Sequence, residues 1–318
     1  MAIEQRVFGN TELRVGVLGI GTAEIGFSET PDSVLDSILG MAADAGINVL
    51  DSAAMYGNAE EKLGRLLRGR RNDFLIFTKC GMHLPKLTGF ARLVRRARRS
   101  VRGVFGLPPL EWAPKTLQWN IDESLRRLKT DRLDLIQLHS CSEELLKREE
   151  IVRVLQISQD AGKVRYLGYS GDGSAAQWAA KSGLFQAIQT SVNVADQQAI
   201  DDVIPMALAR RLGIIAKRPI ANAIWRSAER PPDPHMHAYW QRLNILNYPF
   251  ATKPDAVATA LRFTLRTGVH TAIIGTTSLQ HMRSNIAACQ ISAADDQQYK
   301  AVRARWREVA GPDWIGQT

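Results

Sequence analysis

Short apolar runs alternate along this chain with stretches whose apolar residues recur every three or four positions. Runs at 15–20, 48–50, 74–78, 133–138, 164–169, 187–189, 214–216 and 271–274 read as eight buried strands. Helical spacing predicts helices over 33–45, 59–68, 115–128, 144–161, 174–181, 201–211 and 254–267. Gly162, Gly183, Gly213 and Gly268 stand where these helices should stop, at the position that favours a left-handed backbone. Ahead of the first strand, Val7-Phe8-Gly9-Asn10-Thr11-Glu12-Leu13 reads as a hairpin turning at Gly9-Asn10.

Strands that alternate with helices predict a parallel sheet with right-handed crossovers. Eight such units suit a (β/α)8 barrel, which needs about 250 residues. The rival is a doubly wound sheet, whose first turn would carry Gly-x-Gly-x-x-Gly. Here Gly19-Ile20-Gly21-Thr22-Ala23-Glu24 lacks the third glycine. The expectation is one α/β barrel domain over 1–318, with an N-terminal hairpin and an insertion after the third strand at about 81–113.

Charge changes this picture in one place. The net charge is +9, and seven basic residues fall between Gly81 and Pro109 with no Asp or Glu among them. The rest of the chain is close to balanced. Within 89–106, Phe90, Leu93, Val94, Ala97, Val101, Val104 and Phe105 share one helical face, with arginines on the others. A basic amphipathic helix can lie on an anionic membrane surface. The favoured reading is instead a charged lid over the barrel mouth, with no nucleic-acid partner. The three cysteines, Cys80, Cys141 and Cys289, make neither a disulfide framework nor a metal cluster. No run of 18 apolar residues and no leader pattern is present, so a cytoplasmic protein without a membrane span is expected. Cys80 and Cys141 lie near two strand ends, which leaves open reduced thiols or an oxidisable pair.

The chemistry sits at the strand ends, where barrels of this kind build their sites. Asp51 follows the second strand, with Tyr56 five residues on; Lys79 follows the third and His139 the fourth. A tyrosine is a weak acid, with an ordinary pKa of roughly 10. A nearby ammonium favours the tyrosinate. Lys79 can supply that charge, and Asp51 can hold Lys79 in place. Tyr56 then serves as general acid to a carbonyl that receives hydride, and as base in reverse. His139 can donate a hydrogen bond to the carbonyl oxygen or help pass the proton. The hydride must come from a cofactor.

These residues also match a family. Leu50-Asp51-Ser52-Ala53-Ala54-Met55-Tyr56-Gly57-Asn58, with Glu60 and Leu63-Gly64, resembles the first signature of the aldo-keto reductases. Glu123-Ser124-Leu125-Arg126-Arg127-Leu128, then Asp131, Asp134-Leu135 and His139, resembles the second. Lys163-Val164-Arg165-Tyr166-Leu167-Gly168-Tyr169-Ser170 and Ile274-Gly275-Thr276-Thr277-Ser278 resemble the later ones. The resemblance implies Asp51, Tyr56, Lys79 and His139 as a catalytic tetrad. It implies NADP(H) ahead of NAD(H), bound across the mouth without a Rossmann motif. Ser170 and Gln189 match residues that hold the nicotinamide carboxamide, a reading favoured over the alternative that Ser170 with Asp172 only caps a helix. Gly171 replaces the usual Asn, and Asn193 is a candidate to compensate. Lys217-Arg218-Pro219-Ile220 replaces Tyr-Ser-Pro-Leu, so the stacking ring is missing. Lys217 and Arg218 could instead meet the pyrophosphate or an anionic substrate, or be solvated loop charges. Gly21 and Thr22 at the first strand end join the cofactor set. Gly275, Thr276, Thr277 and Ser278 form a phosphate site at a helix start. Asn285 matches the adenine contact, while His281 stands where a 2′-phosphate Arg is usual.

The expected activity is reversible reduction of aldehydes or ketones by a nicotinamide cofactor, on a small-molecule carbonyl or alcohol, with no resident metal. Two rivals are the same barrel used as a regulatory or interaction subunit, and an anionic-surface binder acting through the insertion. Ala23 stands where a bulky aromatic is common, which suggests a roomier pocket. Trp225 is the best aromatic candidate for its wall, and the segment from Trp306 to Trp314 a candidate cover for the mouth.

Overall fold

The structure, a computed structural model, describes residues 2–83, 109–290 and 296–317. The arginine-rich stretch 89–106, with its expected helix and lid role, lies outside the described residues. Ten strands are present among the described residues. β1 (Gln5–Val7) and β2 (Arg14–Gly16) form an antiparallel hairpin in which Arg6 faces Val15. The barrel comprises β3 (Leu18–Gly21), β4 (Val49–Asp51), β5 (Leu75–Cys80), β6 (Leu133–His139) and β7 (Val164–Ser170). It is completed by β8 (Ala187–Ser191), β9 (Gly213–Lys217) and β10 (Thr271–Gly275). All eight run parallel in chain order, and β10 pairs with β3 to close the ring. The structure is therefore a (β/α)8 barrel with an N-terminal hairpin.

The apolar run at 15–20 divides between two structures: Val15 belongs to the hairpin, and Leu18 begins the barrel. The hairpin is a plug. Phe8 is fully buried with Leu13, Val15, Phe77, Leu135 and Ile215, its ring 5.4 Å from that of Phe77. This plug explains Gly213, which does not end a helix. It is the first residue of β9, and a Cβ there would lie 2.4 Å from the Phe8 ring. The left-handed residue that reverses the chain ahead of it is Arg211, at φ 54°. Gly162, Gly183 and Gly268 do take left-handed conformations at helix ends, as expected.

Two expected helices are broken. The stretch 144–161 holds helices Glu143–Leu146 and Glu149–Asp160, separated where Arg148 is extended. The stretch 201–211 begins on the last residue of the short helix Gln198–Asp201 and, after a non-helical Asp202, holds the helix Val203–Ala209. Pro205 accounts for the second break, because its ring would clash with the carbonyl of Asp201 in a continuous helix.

A second apolar cluster roofs the barrel near β8 and β9. Tyr239, Leu243, Tyr248, Phe250 and Phe263 are buried there, and Trp225, Trp240, Trp306 and Trp314 pack against them. Trp225 meets Phe250 edge to face at 6.3 Å. The last helix, Asp296–Val309, leads to a tail that returns to the mouth. In that tail the Ile315 carbonyl accepts from Arg242 at 2.9 Å, and the Gln317 carbonyl accepts from Arg218.

Candidate active site

The C-terminal ends of β4, β5 and β6 bring the four expected catalytic side chains together. Asp51 closes β4, Lys79 lies in β5, and both are almost fully buried. Lys79 Nζ lies 2.5 Å from Asp51 Oδ2 and donates to the Ser52 carbonyl at 2.9 Å. The other Asp51 oxygen accepts from Gln137 at 3.4 Å. Gln137 was not anticipated, yet its place was legible: it stands two residues before His139 and so shares its face of the strand. Tyr56 sits half-buried on the loop after β4. Its ring lies 5.2 Å from Lys79 Nζ and meets the His139 ring edge-on at 5.8 Å and 82°. The loop is seated against Gly26, where a Cβ would come within 2.0 Å of the Tyr56 carbonyl.

The electrostatics follow from burial and charge. Burial opposes the Lys79 ammonium, but the Asp51 carboxylate and Tyr56 outweigh it and raise the Lys79 pKa. His139 is pushed well below its ordinary value by burial and then by the nearby cations Lys79, Lys217 and Arg218. It is therefore a neutral imidazole at neutral pH, with one N–H to donate. Its Nδ1 is buried without a partner among the described residues.

A cavity of about 690 Å³ opens between the ends of β9 and β10. Arg218, Pro219, Gly275, Thr276, Thr277, Ser278 and Asn285 line it, whereas Gly21, Thr22, Ser170, Gln189 and Lys217 do not. Ser278 caps the helix Leu279–Gln290 by accepting from the His281 amide at 3.3 Å. The sequence reading did not single out Glu24, Arg226 and Asp255, which line the same cavity from three separate elements.

Ser170 is buried at the end of β7 and Gln189 within β8, and the Gln189 Oε1 acceptor is unpartnered among the described residues. Such an orphan acceptor suits an amide N–H of a bound ligand. Gly171 has a steric reason, since a Cβ there would lie 2.2 Å from the Tyr169 hydroxyl, which donates to the Cys141 carbonyl. Asn193 is already engaged: its amide oxygen accepts from the Ala195 N–H and its NH2 donates to the Tyr239 hydroxyl. Ser170 stays buried in β7, and Asp172 is the residue ahead of the helix Gly173–Ser182.

Two cofactor candidates are otherwise engaged. Lys217 is neither solvated nor turned to the cavity; its ammonium is held 2.9 Å from Asp172, which also accepts from Thr190 and Ser191. The Thr22 hydroxyl donates to the Asp51 carbonyl at 3.1 Å and so braces the catalytic strand. Gly21 ends β3, its missing side chain leaving room for Ile273. Trp225 does not line the cavity; it belongs to the roof cluster. Cys80 and Cys141 are buried free thiols; burial pushes Cys141 up to about 12 and Cys80 higher still. Thiolate is the reactive form, so an oxidisable pair loses support. No group of three or more His, Cys, Asp or Glu able to hold a metal occurs among the described residues.

Beneath the tail, Asp196 is buried; burial and the Asp172 charge, against Arg242, push its carboxyl from 3.8 up to about 7. Folded protein then keeps a proton that unfolded chain has lost, so stability falls as pH rises between about 4 and 7. The slope reaches at most about 1.4 kcal/mol per pH unit. Asp196→Asn should remove it; urea unfolding at about pH 5 and pH 8 checks this, and an unchanged slope would assign the effect elsewhere.

The aldo/keto reductase family profile matches residues 17–307. This chain belongs to the aldo/keto reductase family. The uncharacterized oxidoreductase YqkF of Bacillus subtilis (strain 168) is 25% identical, the match covering 96% of this aldo-keto reductase and 97% of the relative. An L-galactose dehydrogenase of Arabidopsis thaliana is 30% identical over 53% of this chain and 49% of its own length. The holo form of an aldo-keto reductase from Bacillus halodurans superposes with a TM-score of 0.77 at 21% identity, covering 98% of this chain and 99% of that one. Family and fold together make this aldo-keto reductase an oxidoreductase of carbonyl chemistry. No helix among the described residues is long and apolar enough to cross a membrane.

Proposed function

We propose that this aldo-keto reductase reversibly reduces aldehyde or ketone carbonyls, with hydride from a nicotinamide dinucleotide and a proton from Tyr56. The observation that carries the reading is the buried Asp51–Lys79 pair beside Tyr56, with a neutral His139 edge-on to it. The bound dinucleotide supplies the hydride that no side chain can. Tyr56 holds the proton for the carbonyl oxygen, and the Lys79 charge stabilises the phenolate left behind. Asp51 keeps that charge fixed, and the Thr22 hydroxyl and Gln137 keep Asp51 fixed. His139 donates its N–H to the carbonyl oxygen as negative charge develops there, the kind of aimed donor that stabilises such charge.

Gln189 and Ser170 would hold the carboxamide, and the unpartnered Gln189 acceptor is what fits that group. Arg218 would meet the pyrophosphate, since its partners at the mouth are the neutral Ser191 hydroxyl and Gln317 carbonyl. Arg218, Arg226 and His281 all line the cavity and favour the more highly charged NADP(H) over NAD(H). The reading places the enzyme in a reducing cytoplasm, which its free cysteines suit. A panel of aldehydes, ketones, sugars and 2-hydroxy compounds, with NADPH and with NADH, tests it through reduced-nicotinamide absorbance. Turnover faster with NADPH is expected. No turnover with either dinucleotide across the panel would overturn the reading.

A further inference from the structure

Two charged residues of the matched motifs, Glu60 and Arg127, do no chemistry in the reading above, yet both are buried next to it. Glu60 is 2% exposed, and only 9% of the Arg127 side chain is exposed. Glu60 opens out of the helix Ala59–Leu66, directly after the Tyr56 loop. Arg127 is near the end of the helix Pro114–Leu128. The two helices touch at Gly64, where a Cβ would fall 2.1 Å from the Arg127 carbonyl. That close approach brings the guanidinium under the loop.

Its bonds join three pieces of the site. Arg127 Nη1 donates to the Ala54 carbonyl at 3.2 Å, two residues before Tyr56, and to Glu60 Oε2 at 3.3 Å. Glu60 Oε1 accepts from the Thr78 hydroxyl at 2.8 Å, and Thr78 adjoins Lys79 in β5. Arg127 Nη2 lies 3.4 Å from His83 Nε2, just past the end of β5. Glu61 and Glu123 flank Nε at 3.3 and 3.2 Å. A planar fork with several donors in fixed directions is what such a junction needs, and a lysine cannot reproduce it.

We propose that Arg127, through Glu60, is a positioning residue of the catalytic centre, holding the loop that carries Tyr56 in register with the strand that carries Lys79. Surface ion pairs of this composition contribute little, but here the carboxylate and the backbone carbonyl are both sheltered, and Ala54 is also tied to β5 through its amide on the Lys79 carbonyl at 3.1 Å. Losing the fork frees the carbonyl side of that tie and leaves the amide side. The Tyr56 hydroxyl then departs from its place beside Lys79 while the cofactor cavity on β9 and β10, built from other elements, stays intact. The kinetic consequence rests on the function proposed above; the mechanical one does not.

The test uses Arg127→Lys and Thr78→Val in the full chain, with three readouts. Arg127→Lys should lower kcat about 10- to 100-fold, as expected for a small misplacement of a reacting group. Dinucleotide Kd, read by fluorescence titration, should stay within about twofold. Thr78→Val, which cuts one bond of the relay, should lower kcat less, and both should displace the pH limb of kcat that reports the tyrosine. Independently of turnover, hydrogen exchange should rise at 52–58 in Arg127→Lys and stay unchanged at 271–275. Unchanged exchange at 52–58, or a kcat within threefold of wild type, would overturn the proposal. So would a loss of dinucleotide affinity in step with kcat, the mark of general unfolding. If the wild type transfers no hydride, the function above fails, and exchange at 52–58 alone decides the clamp.

Discussion

Replacing Tyr56 with Phe is expected to lower kcat by about 10²- to 10⁴-fold, the usual contribution of a positioned general acid. The substitution removes one oxygen and keeps the ring, so the edge-on contact with His139 at 5.8 Å survives. The half-buried loop keeps its seat on Gly26, and no cavity opens in the core. Dinucleotide Kd should stay within about twofold, because the cavity between β9 and β10 is built from other strands. Steady-state kinetics with fluorescence titration of the dinucleotide separates the two quantities. A Tyr56→Phe enzyme within tenfold of wild type would remove Tyr56 from the proton-transfer role.

Lys79→Met is expected to cost both activity and stability. It strips the developing phenolate of its charge, and it leaves Asp51 as a carboxylate buried without its partner. Removing one member of a buried pair typically costs about 3–5 kcal/mol. The Gln137 amide and the backbone around Asp51 offset part of that loss, but neither carries a charge. The double variant Asp51→Asn, Lys79→Met should recover most of the stability and none of the activity, since the amide no longer needs a cation while Tyr56 still does. Urea unfolding of the singles and the double completes the cycle. If Lys79→Met alone unfolds at the wild-type midpoint, the pair is not the buried ionic unit described here. If the double variant turns over substrate at the wild-type rate, the charge plays no part in the chemistry.

The barrel was legible because its strands are buried on both sides, so each reads as a continuous apolar run with a helical repeat after it. The strand ends were legible for the same reason: a charged or polar residue that breaks such a run marks the mouth. That rule finds Asp51, Lys79 and His139 directly, and Tyr56 on the loop five residues after Asp51. It fails where the determining neighbour is distant in sequence. Gly213 looks like a helix stop until Phe8 of the hairpin is packed against it. Lys217 and Arg218 are adjacent and look alike, yet Asp172 takes up the first while the second faces the cavity. Asn193 looks available until Tyr239, 46 residues on, is seen to hold it.

What the sequence by itself determined is the set of repeating units and the chemistry each strand end offers, because burial period and residue type are local properties. The tertiary structure decided which of those groups remain free to act. That depends on partners brought in by other elements: Asp172 on Lys217, Thr22 and Gln137 on Asp51, Glu60 and Arg127 beneath the Tyr56 loop. A buried polar group must find a partner or bear the cost of lacking one, and only the closed barrel settles which groups have found theirs.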